Sequence, residues 1–414
     1  MKKRVVITGV GVISPVGNTA QDFWSALKEG KSGTGPLTQL DASKFPSKVA
    51  AEVKGFDATL YMTPKDARKN DIFVQFAVAG AKMALQDASF DIEKENARRC
   101  GVIIGSGIGG LRVIENQHNI LLEKGPSRLS PFMIPMLICN MAAGMVAIET
   151  KFQGPNVCPV TACATGTHAI GDALKIIERG DADVILAGGT ESCITELGYG
   201  GFCSMKALST HNDTPESASR PFDATRSGFV MGEGAGIVVL EELEHAIKRG
   251  APIYCEVSGY GLTCDAYHIA APDATGESAA VCMKNAMLDA ELNPEDITYI
   301  NAHGTSTSLN DATETKAIKI ALGIDIAKKV QISSTKSMTG HLLGAAGGVE
   351  TIACAYAIRD GIIPPTINYS TPDPDCDLDY TPNEARKVSV KAALSNSLGF
   401  GGHNATLAFK KYVS

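Results

Sequence analysis

The sequence predicts an α/β protein made of two duplicated halves, at residues 1–250 and 251–414. Short apolar runs alternate with amphipathic stretches at helical spacing, which favours largely parallel, buried sheets covered by helices. After residue 250 the same order of strand, helix and glycine loop begins again. The chain has 414 residues, of which 44% are hydrophobic, so it can bury a large core.

Composition narrows the classes of function. The formal net charge of −7 argues against a nucleic-acid partner. The eleven cysteines show neither a CxxC pair nor the Cys/His spacing of a zinc site. Their odd number and irregular spacing favour a reducing compartment over a disulfide framework. We therefore expect a globular cytoplasmic protein.

Two apolar stretches could be mistaken for membrane segments. The run at 5–13 is interrupted by Gly9 and Gly11, and no small-residue cleavage site follows it, so it predicts a first strand. The stretch at 130–150 is broken by Pro135. It therefore predicts no membrane span, but either a core helix or a subunit interface.

The next elements carry helix-capping signals. Asn18 or Thr19 begins a helix that Gly30 ends. Residues 63–69 open another helix, with Pro64 in its first turn, that continues through residue 85. Its basic side chains indicate either a solvated face or a docking patch for an acidic partner. They are Lys65, Arg68 and Lys69.

A strand at 102–104 runs into a glycine-rich loop, 105–110, that matches GxGxxG. We reject a dinucleotide site for two reasons: this is not the first βαβ unit, and residues 127–138 contain no acidic residue to bind a ribose. We expect the loop to line a narrow pocket instead.

The stretch at 157–189 predicts strand, tight turn, helix and strand, with Cys163 at the turn and Gly180 ending the helix. A helix N-terminus favours a thiolate and leaves backbone N–H groups free to bind an oxyanion. Cys163 is therefore a candidate nucleophile. The alternative is a buried structural cysteine, which packs well as a small hydrophobic residue.

The remaining pattern ends the first half and repeats its scheme. Residues 198–234 are rich in loop-forming residues, and a strand at 237–240 precedes a charged helix at 241–248. The second half then predicts a strand (253–261), a helix (276–290), a strand and loop (299–307), a helix from His341 to Gly361, and a last strand with a glycine loop (392–402).

Two histidines stand at junctions between these elements. His303 follows a strand end, and His341 lies five positions after Lys336. A single histidine is more often structural than catalytic. A cysteine, two histidines and a cationic donor together are what thioester chemistry requires.

Four motifs in order carry a family resemblance: TACATG at 161–166, NAHGT at 301–305, KSMTGH at 336–341 and GFGG at 399–402. They resemble the motifs of the β-ketoacyl-[acyl-carrier-protein] synthases, most closely the elongating synthase II class of bacterial type II fatty acid synthesis. The similarity runs from end to end. It implies a thiolase fold with duplicated halves in five layers, αβαβα, and a homodimer.

The resemblance also implies a decarboxylative Claisen condensation. Cys163 takes an acyl chain from an acyl carrier protein, and malonyl carrier lengthens that chain by two carbons with loss of CO2. The N–H groups of Cys163 and Phe400 would hold the oxyanion, while His303 and His341 would stabilise the enolate. Residues that fix local charge or flex the Phe400 loop would be Lys336, Glu350, Gly399, Gly401 and Gly402.

The resemblance assigns binding roles to a further set. The acyl pocket would be shaped by Ile108 and Phe202, and the pantetheine arm would bind Thr305 and Thr307. Carrier docking would fall to Lys65, Arg68, Lys69 and Lys206, the last standing where relatives often carry arginine. No organic cofactor is implied. A monovalent cation could bind near Asn301, Glu350, Ser395 and Asn396.

Alternatives remain open at this point. A thiolase or hydrolase could act on coenzyme A esters through the same cysteine, although no second cysteine occurs near 396–402. A polyketide-type ketosynthase is a further alternative, because the sequence does not distinguish a fatty acid from a polyketide product. A non-catalytic chain-length factor would lack the nucleophile, and Cys163 argues against it. His403, where many relatives carry threonine, receives no chemical role.

Overall fold

The computed structural model describes residues 2–413. Its strands are β1 (Val5–Ile13), β2 (Gly35–Pro36), β3 (Val49–Ala50), β4 (Cys100–Gly105), β5 (Asn156–Val157), β6 (Val184–Glu191), β7 (Gly234–Glu242), β8 (Cys255–Cys264), β9 (Tyr299–Asn301), β10 (Gln331–Ser333), β11 (Ile362–Ile363), β12 (Arg386–Lys387), β13 (Ala392–Gly399) and β14 (His403–Lys410).

The α-helices are α1 (Ala20–Glu29), α2 (Pro64–Ala67), α3 (Ile72–Asp87), α4 (Leu111–Lys124), α5 (Met133–Leu137), α6 (Met141–Thr150), α7 (Thr165–Arg179), α8 (Glu196–Ser204), α9 (Leu243–Arg249), α10 (Glu277–Asp289), α11 (Ser308–Leu322), α12 (Ile324–Ala327), α13 (Lys336–Thr339) and α14 (Ala346–Asp360). Thr19 caps the start of α1 as predicted, and Gly30, Gly180 and Gly250 end α1, α7 and α9 in the left-handed conformation.

The main sheet repeats one strand order in each half. The first half runs β5-β4-β6-β7-β1, and the second runs β10-β9-β13-β14-β8. Two residue pairs between β1 and β8 join the halves. In each half two strand pairings are parallel and two are antiparallel. The predicted duplication is confirmed. The prediction of largely parallel sheets holds for half of these strand pairings and is wrong for the antiparallel half.

The duplication extends to single residues. Gly9 and Gly11 on β1 have no room for a Cβ, because the backbone of α3 lies 2.2 and 1.9 Å from where it would be. Gly259 and Gly261 on β8 approach α10 in the same way. Each of these helices also ends in an aspartate that accepts a hydrogen bond from the adjacent strand. Asp87 accepts from the N–H of Val10, and Asp289 accepts from the N–H of Tyr260.

Helices and sheets stack in five layers. On the outside, α3 and α6 pack on the first-half strands, and α10 and α11 pack on those of the second half. Between the two five-stranded halves of the main sheet lie α7 and α14, in contact with each other and with strands of both halves. Glycines allow this contact: a Cβ on Gly166 would lie 2.8 Å from the nitrogen of Gly348.

Four sequence predictions of elements need correction. The helix expected from 63 to 85 is two helices, because Asp71 caps a new start for α3. The region 198–234 contains most of α8, whose glycines concealed it. The helix expected to begin at His341 begins at Ala346, after a tight turn. The prediction also lacks β14, which follows the glycine loop.

The two outer edges of the sheet differ. In the second half the N–H of Ile332 on β10 donates to the carbonyl of Asp379, so a chain segment covers that edge. In the first half β5 is exposed. Large apolar side chains are also exposed on β5 and in the adjoining stretch of chain, residues 132–160: Phe132, Ile134, Ile138, Ile148, Val157 and Val160. Within residues 2–413 no helix is both long and apolar enough to span a membrane.

Candidate active site

Cys163 lies in a tight helical turn, residues 162–164, directly before α7. Ala162 before it has φ +50°, a left-handed conformation that a residue with a Cβ rarely adopts. The turn projects the cysteine into a cavity at the carboxyl end of the strands. Gly399 touches this turn, and a Cβ there would lie 3.2 Å from the nitrogen of Cys163.

Burial raises the pKa of the Cys163 thiol to about 12. The positive charge of Lys336 and a hydrogen bond from the N–H of Phe400 act in the opposite direction, while the charge of Glu191 adds to the effect of burial. The sequence argument expected the helix N-terminus to favour a thiolate. In the free protein, burial is the largest influence on this thiol, and its pKa lies above the ordinary value.

His303 and His341 line the same cavity as Cys163, which has a volume of about 400 Å³. Their rings are nearly perpendicular, with centroids 5.4 Å apart. His303 follows β9, and His341 is held at its backbone by hydrogen bonds to Val230 and Gly232. The sequence prediction that the cysteine and both histidines converge therefore agrees with the geometry.

Both imidazoles are held neutral and in one tautomer. Burial and the nearby Lys336 charge lower the pKa of His303 and of His341 well below the ordinary value. The ammonium of Lys336 lies 3.4 Å from Nδ1 of His303, and the N–H of Leu343 donates to Nδ1 of His341 at 3.3 Å. Since Nδ1 accepts in each ring, Nε2 carries the proton. Each ring therefore presents one N–H donor.

Two buried carboxylates support this arrangement. Lys336 forms an ion pair with Glu350, and both side chains are buried. Glu314 on α11 accepts from the N–H groups of His303 and Gly304, each at 2.8 Å. Burial raises the pKa of Glu314 to about 7. The sequence analysis missed Glu314, because an acidic residue on a helix looks like a solvent-facing one.

Phe400 stands at the tip of the hairpin that joins β13 and β14. Gly401 and Gly402 in this turn have φ +84° and +76°, which only glycine adopts readily. The N–H of Gly401 donates to the carbonyl of Ile269, and Gly402 accepts from the N–H of Asp265. The hairpin that carries Phe400 is thus tied to the loop after β8.

The glycine loop after β4 encloses a carboxylate of the protein itself. Glu191 accepts hydrogen bonds from the N–H groups of Gly107, Ile108 and Gly109 and from the hydroxyl of Ser106. These donors are therefore not free for a phosphate, which supports the rejection of a dinucleotide site. Glu191 is a second residue that the sequence analysis missed.

The other predicted binding residues fall into two groups. The cavity lining includes Phe202, Thr305, Thr307, Lys206, Gly399 and Phe400. Phe229, not singled out from the sequence, packs its ring 5.4 Å from Phe202 and 5.2 Å from His341. Ile108 lies in the apolar cluster around Cys163 and not in the cavity wall.

The basic residues on and after α2 do not line the cavity. Lys65 and Arg68 are exposed, and Lys69 is stacked 5.1 Å above the ring of Phe132. Lys206, by contrast, is part of the cavity lining.

Buried oxygens without partners lie behind His303. Asn301 Oδ1, Glu350 Oε2 and Ser395 Oγ have no hydrogen-bond partner within residues 2–413. Asn301 and Ser395 are opposite each other on β9 and β13. An all-oxygen set with one carboxylate suits a hard cation of low charge. Asn396 does not fit, since its amide contacts Glu314 and Thr406 instead.

Comparisons with known proteins agree with this geometry. Sequence models of the Beta-ketoacyl synthase N-terminal and C-terminal domains match residues 2–246 and 254–370. The chain is 57% identical to 3-oxoacyl-[acyl-carrier-protein] synthase 2 of Synechocystis sp. and 54% identical to that of Coxiella burnetii, over 99% of each chain.

Solved structures are similar over the whole chain. One is a type II polyketide synthase acyl-carrier protein in complex with its ketosynthase bound to the hexaketide, with a TM-score of 0.93 and 36% identity over 100% of both chains. The ishigamide ketosynthase/chain length factor gives the same values. The fold and the site define an acyltransferase of the thiolase class. The chain belongs to the β-ketoacyl synthase family, as its motifs predicted.

Proposed function

We propose that the protein condenses acyl-[acyl-carrier-protein] with malonyl-[acyl-carrier-protein] in fatty acid elongation. The products are a 3-oxoacyl-[acyl-carrier-protein] two carbons longer, CO2 and the free carrier. The observation that carries this proposal is the convergence of Cys163, His303 and His341 on one cavity. It is supported by full-length relatives at 52–57% identity that are 3-oxoacyl-[acyl-carrier-protein] synthases.

In the first half-reaction the sulfur of Cys163 attacks the carbonyl carbon of the acyl thioester. The new C–S bond forms as the bond to the pantetheine sulfur breaks, and the proton lost by Cys163 is balanced by the one gained by the pantetheine thiol. The oxyanion of the intermediate lies between the N–H groups of Cys163 and Phe400. The contact of Phe400 N–H with the Cys163 sulfur supports this placement.

In the second half-reaction the two Nε2–H groups of His303 and His341 donate to the thioester carbonyl of malonyl carrier. The bond to the carboxylate breaks, CO2 leaves, and the electron pair becomes an enolate on that oxygen. The enolate carbon attacks the acyl-Cys163 carbonyl, and the Cys163 sulfur leaves as a thiolate that takes up a proton from solvent. Neutral donors suit this step, because the charge develops only as CO2 departs.

Intact-protein mass spectrometry tests the first half-reaction. Wild-type protein mixed with hexanoyl or dodecanoyl carrier should gain one acyl group, and Cys163→Ala should gain none. Malonyl carrier should then discharge the adduct as 3-oxoacyl carrier. A wild type that stays unloaded while binding carrier would indicate a non-catalytic chain-length factor. Loading from coenzyme A esters alone would indicate a thiolase-like enzyme.

A polyketide-type ketosynthase is the second candidate, favoured by the similarity to the ketosynthase of a type II polyketide synthase. The higher identity to 3-oxoacyl-[acyl-carrier-protein] synthases favours fatty acid elongation. A polyketide enzyme should extend a 3-oxoacyl chain repeatedly without reduction. We expect one condensation per reduced acyl chain, measured by mass spectrometry of the carrier.

The acyl carrier protein would dock through Lys65, Arg68 and Lys69 together with Lys206. Lys65→Glu and Arg68→Glu should raise KM for acyl carrier while leaving kcat unchanged, because these exposed side chains do not touch the cavity. Lys44→Glu, an exposed lysine already paired with Glu196, is the matched control. Equal KM values in all variants would contradict this docking patch.

The exposed edge β5 and the apolar residues beside it support a homodimer. Five of them (Phe132, Ile134, Ile138, Val157 and Val160) are between 38% and 59% exposed in the single chain. Ile134→Glu with Val157→Lys should produce monomers in light scattering, while Leu288→Glu on the second half should not. A dimer that survives the double substitution would contradict this interface.

A monovalent cation would bind Asn301, Glu350 and Ser395, whose oxygens are free within the described residues. Melting temperature should be higher in potassium or sodium chloride than in tetramethylammonium chloride of equal ionic strength. Ser395→Ala should reduce the difference.

No organic cofactor enters this scheme, in which Lys336 and Glu350 position the catalytic groups. The free state of all eleven cysteines supports a cytoplasmic location.

A further inference from the structure

The turn that carries Cys163 has a counterpart in the second half. Ala162 and Leu343 both have φ +50°, each opens a helical turn of three residues, and helices of fifteen residues follow, α7 and α14. Counting from these matched turns, Gly344 is the counterpart of Cys163. The second half thus contains the same turn without a nucleophile.

The strands beside the two turns also correspond. Strands β6 and β13 have eight residues each and the same place in the sheet, so their last residues, Glu191 and Gly399, are equivalent. At Gly399 the missing side chain leaves the N–H of Cys163 open. At Glu191 the carboxylate accepts the N–H of Gly344 at 3.1 Å. A protein carboxylate therefore fills, in one half, the anion position that is kept for substrate in the other.

The carboxylate of Glu191 contacts hydrogen-bond donors on both oxygens. Oε2 accepts from Gly107 and Gly344, and Oε1 accepts from Ser106, Ile108 and Gly109. These donors favour the ionised carboxylate, whereas burial acts in the opposite direction and raises the pKa of Glu191 above its ordinary value. Glu191 is buried and touches no reacting atom in the proposed condensation. Its bonds hold the loop 106–109 against the second half.

Ile108 connects this loop to the acyl chain. Its N–H donates to Glu191, and its side chain packs in the same apolar cluster as Cys163 and Phe202. Ile108 does not line the cavity that contains Cys163, but it packs in one apolar cluster with Cys163 and Phe202, which do. An acyl chain that extends from Cys163 into this cluster would displace Ile108, and the bonds between Glu191 and the loop oppose that displacement.

We propose that Glu191 is a positioning residue that sets the acyl chain length by holding Ile108 in place. The inference rests on the proposed condensing activity. Glu191 binds no substrate. Its carboxylate accepts hydrogen bonds from backbone N–H groups of the loop 106–109. These bonds limit how far the loop moves when a long acyl chain enters.

The test measures acylation of Cys163 by hexanoyl and dodecanoyl carrier in single-turnover mass spectrometry. Glu191→Gln keeps the shape but turns an N–H₂ group toward at least two N–H donors. The ratio of dodecanoyl to hexanoyl acylation rates should rise roughly tenfold, comparable to the effect of one methylene in an apolar pocket. Ser106→Ala removes the hydroxyl that donates to Glu191 and accepts from the N–H of Gly109, and it should raise the ratio about threefold.

Controls separate positioning from general damage. Glu233→Gln alters another buried glutamate, which contacts Gln39, Val53 and Ser192 but not the loop, and should leave the ratio unchanged. In an Ile108→Ala background Glu191→Gln should no longer change the ratio. The Ser106→Ala variant keeps the test valid if Glu191→Gln does not fold.

Two results would overturn the proposal. One is an equal loss of rate for both chain lengths in Glu191→Gln and Ser106→Ala. The other is a shift in the ratio that persists in full when Ile108 is alanine. Failure of the proposed function is distinct, because the wild type itself would then acquire no acyl group.

Discussion

The two halves of the molecule share a backbone but not a chemistry. Cys163 corresponds to Gly344, as the matched turns show. Counting from equivalent strand pairs, His303 corresponds to Gly105. Counting from the turns, His341 corresponds to Val160. The first half supplies the nucleophile and the second supplies both imidazoles. The comparison teaches that duplication placed two equivalent strand ends side by side and that each kept part of the site.

Packing shows why the parts are not interchangeable. A Cβ on Gly105 would lie 2.2 Å from the Thr165 side chain, and one on Gly344 would lie 2.5 Å from the nitrogen of Gly107. The first half has no room for an imidazole at the position of His303. The second half has no room for a thiol at the position of Cys163. The asymmetry is therefore built into the close contacts of both turns.

The largest expected effect separates the halves by reaction step. His303→Ala or His341→Ala removes a donor to the enolate oxygen and should lower condensation roughly a thousandfold. Acylation of Cys163 in the first half should continue within about tenfold of wild type. Rapid-quench measurement of acyl enzyme and of 3-oxoacyl product checks both values. His211→Ala, at a histidine that contacts only a backbone carbonyl, should change neither.

Gly399→Ala tests the counterpart of Glu191. Its Cβ would lie 3.2 Å from the nitrogen of Cys163 and 2.9 Å from the carbonyl of Thr161, so it should disturb the oxyanion site. We expect acylation to slow by about a hundredfold, typical of losing one donor. Gly201→Ala in α8, where no atom lies within 4 Å of the new Cβ, should have no such effect. Equal rates in both variants would contradict the assigned geometry.

Lys336, in the second half, lowers the pKa of Cys163 through its positive charge. The pH dependence of Cys163 alkylation tests this effect. Because the pKa of Cys163 is about 12, its alkylation by iodoacetamide should still be rising with pH at pH 10. The paired substitution Lys336→Met and Glu350→Gln removes the charge without leaving a buried carboxylate unpaired. It should slow alkylation at pH 8 about tenfold, since Lys336 lowers the pKa more than Glu350 raises it.

Peptide mapping provides the internal control for this experiment. Cys264 is the exposed cysteine among the eleven, and its labelling should follow the same pH curve in both proteins. A parallel change at Cys264 would indicate a general effect of the variant and not a loss of charge beside Cys163.

How much of this was predictable from sequence depends on the range of each interaction. Caps such as Thr19 and Gly180 act on adjacent residues, so they are predictable. The motifs around Cys163, His303 and His341 are short contiguous segments and can be recognised from sequence for the same reason. Glu191 was not predictable, because it acts on a loop 82 to 85 residues earlier in the chain. The antiparallel pairing of β6 with β7 was missed for a similar reason, since a buried strand reads as apolar in either direction.

The smallest expected effect concerns how each half holds the end of its outer helix. The carbonyls of Ala88 and Ala290 occupy equivalent positions, directly after α3 and α10. Arg249, paired with Glu241, donates to the first, and Lys410 donates to the second. His245 donates to Glu241 and Glu95, and these carboxylates raise its pKa above the ordinary value of 6.5. Only the first half should therefore depend on pH through this contact.

The sign follows from the raised pKa of His245. The protonated ring stabilises the folded state fully below its unfolded value of 6.5, and this contribution is lost as pH rises through the raised folded value. His245→Gln should lower stability by about 1 kcal/mol or less at pH 6 and have almost no effect at pH 9. Lys410→Met should cost about 1 kcal/mol at both pH values. Urea midpoints at fixed protein concentration measure both.

The contact between α7 and α14 affects the order in which the protein can be made. During translation α7 leaves the ribosome some 180 residues before α14 does, counted from the helix ends at Arg179 and Asp360. For that period the apolar face of α7 that packs on α14 has no cover, and the first half cannot complete its core. The nascent chain is therefore exposed to aggregation until its second half is almost finished, and its yield should depend on chaperones that bind unfinished α/β domains.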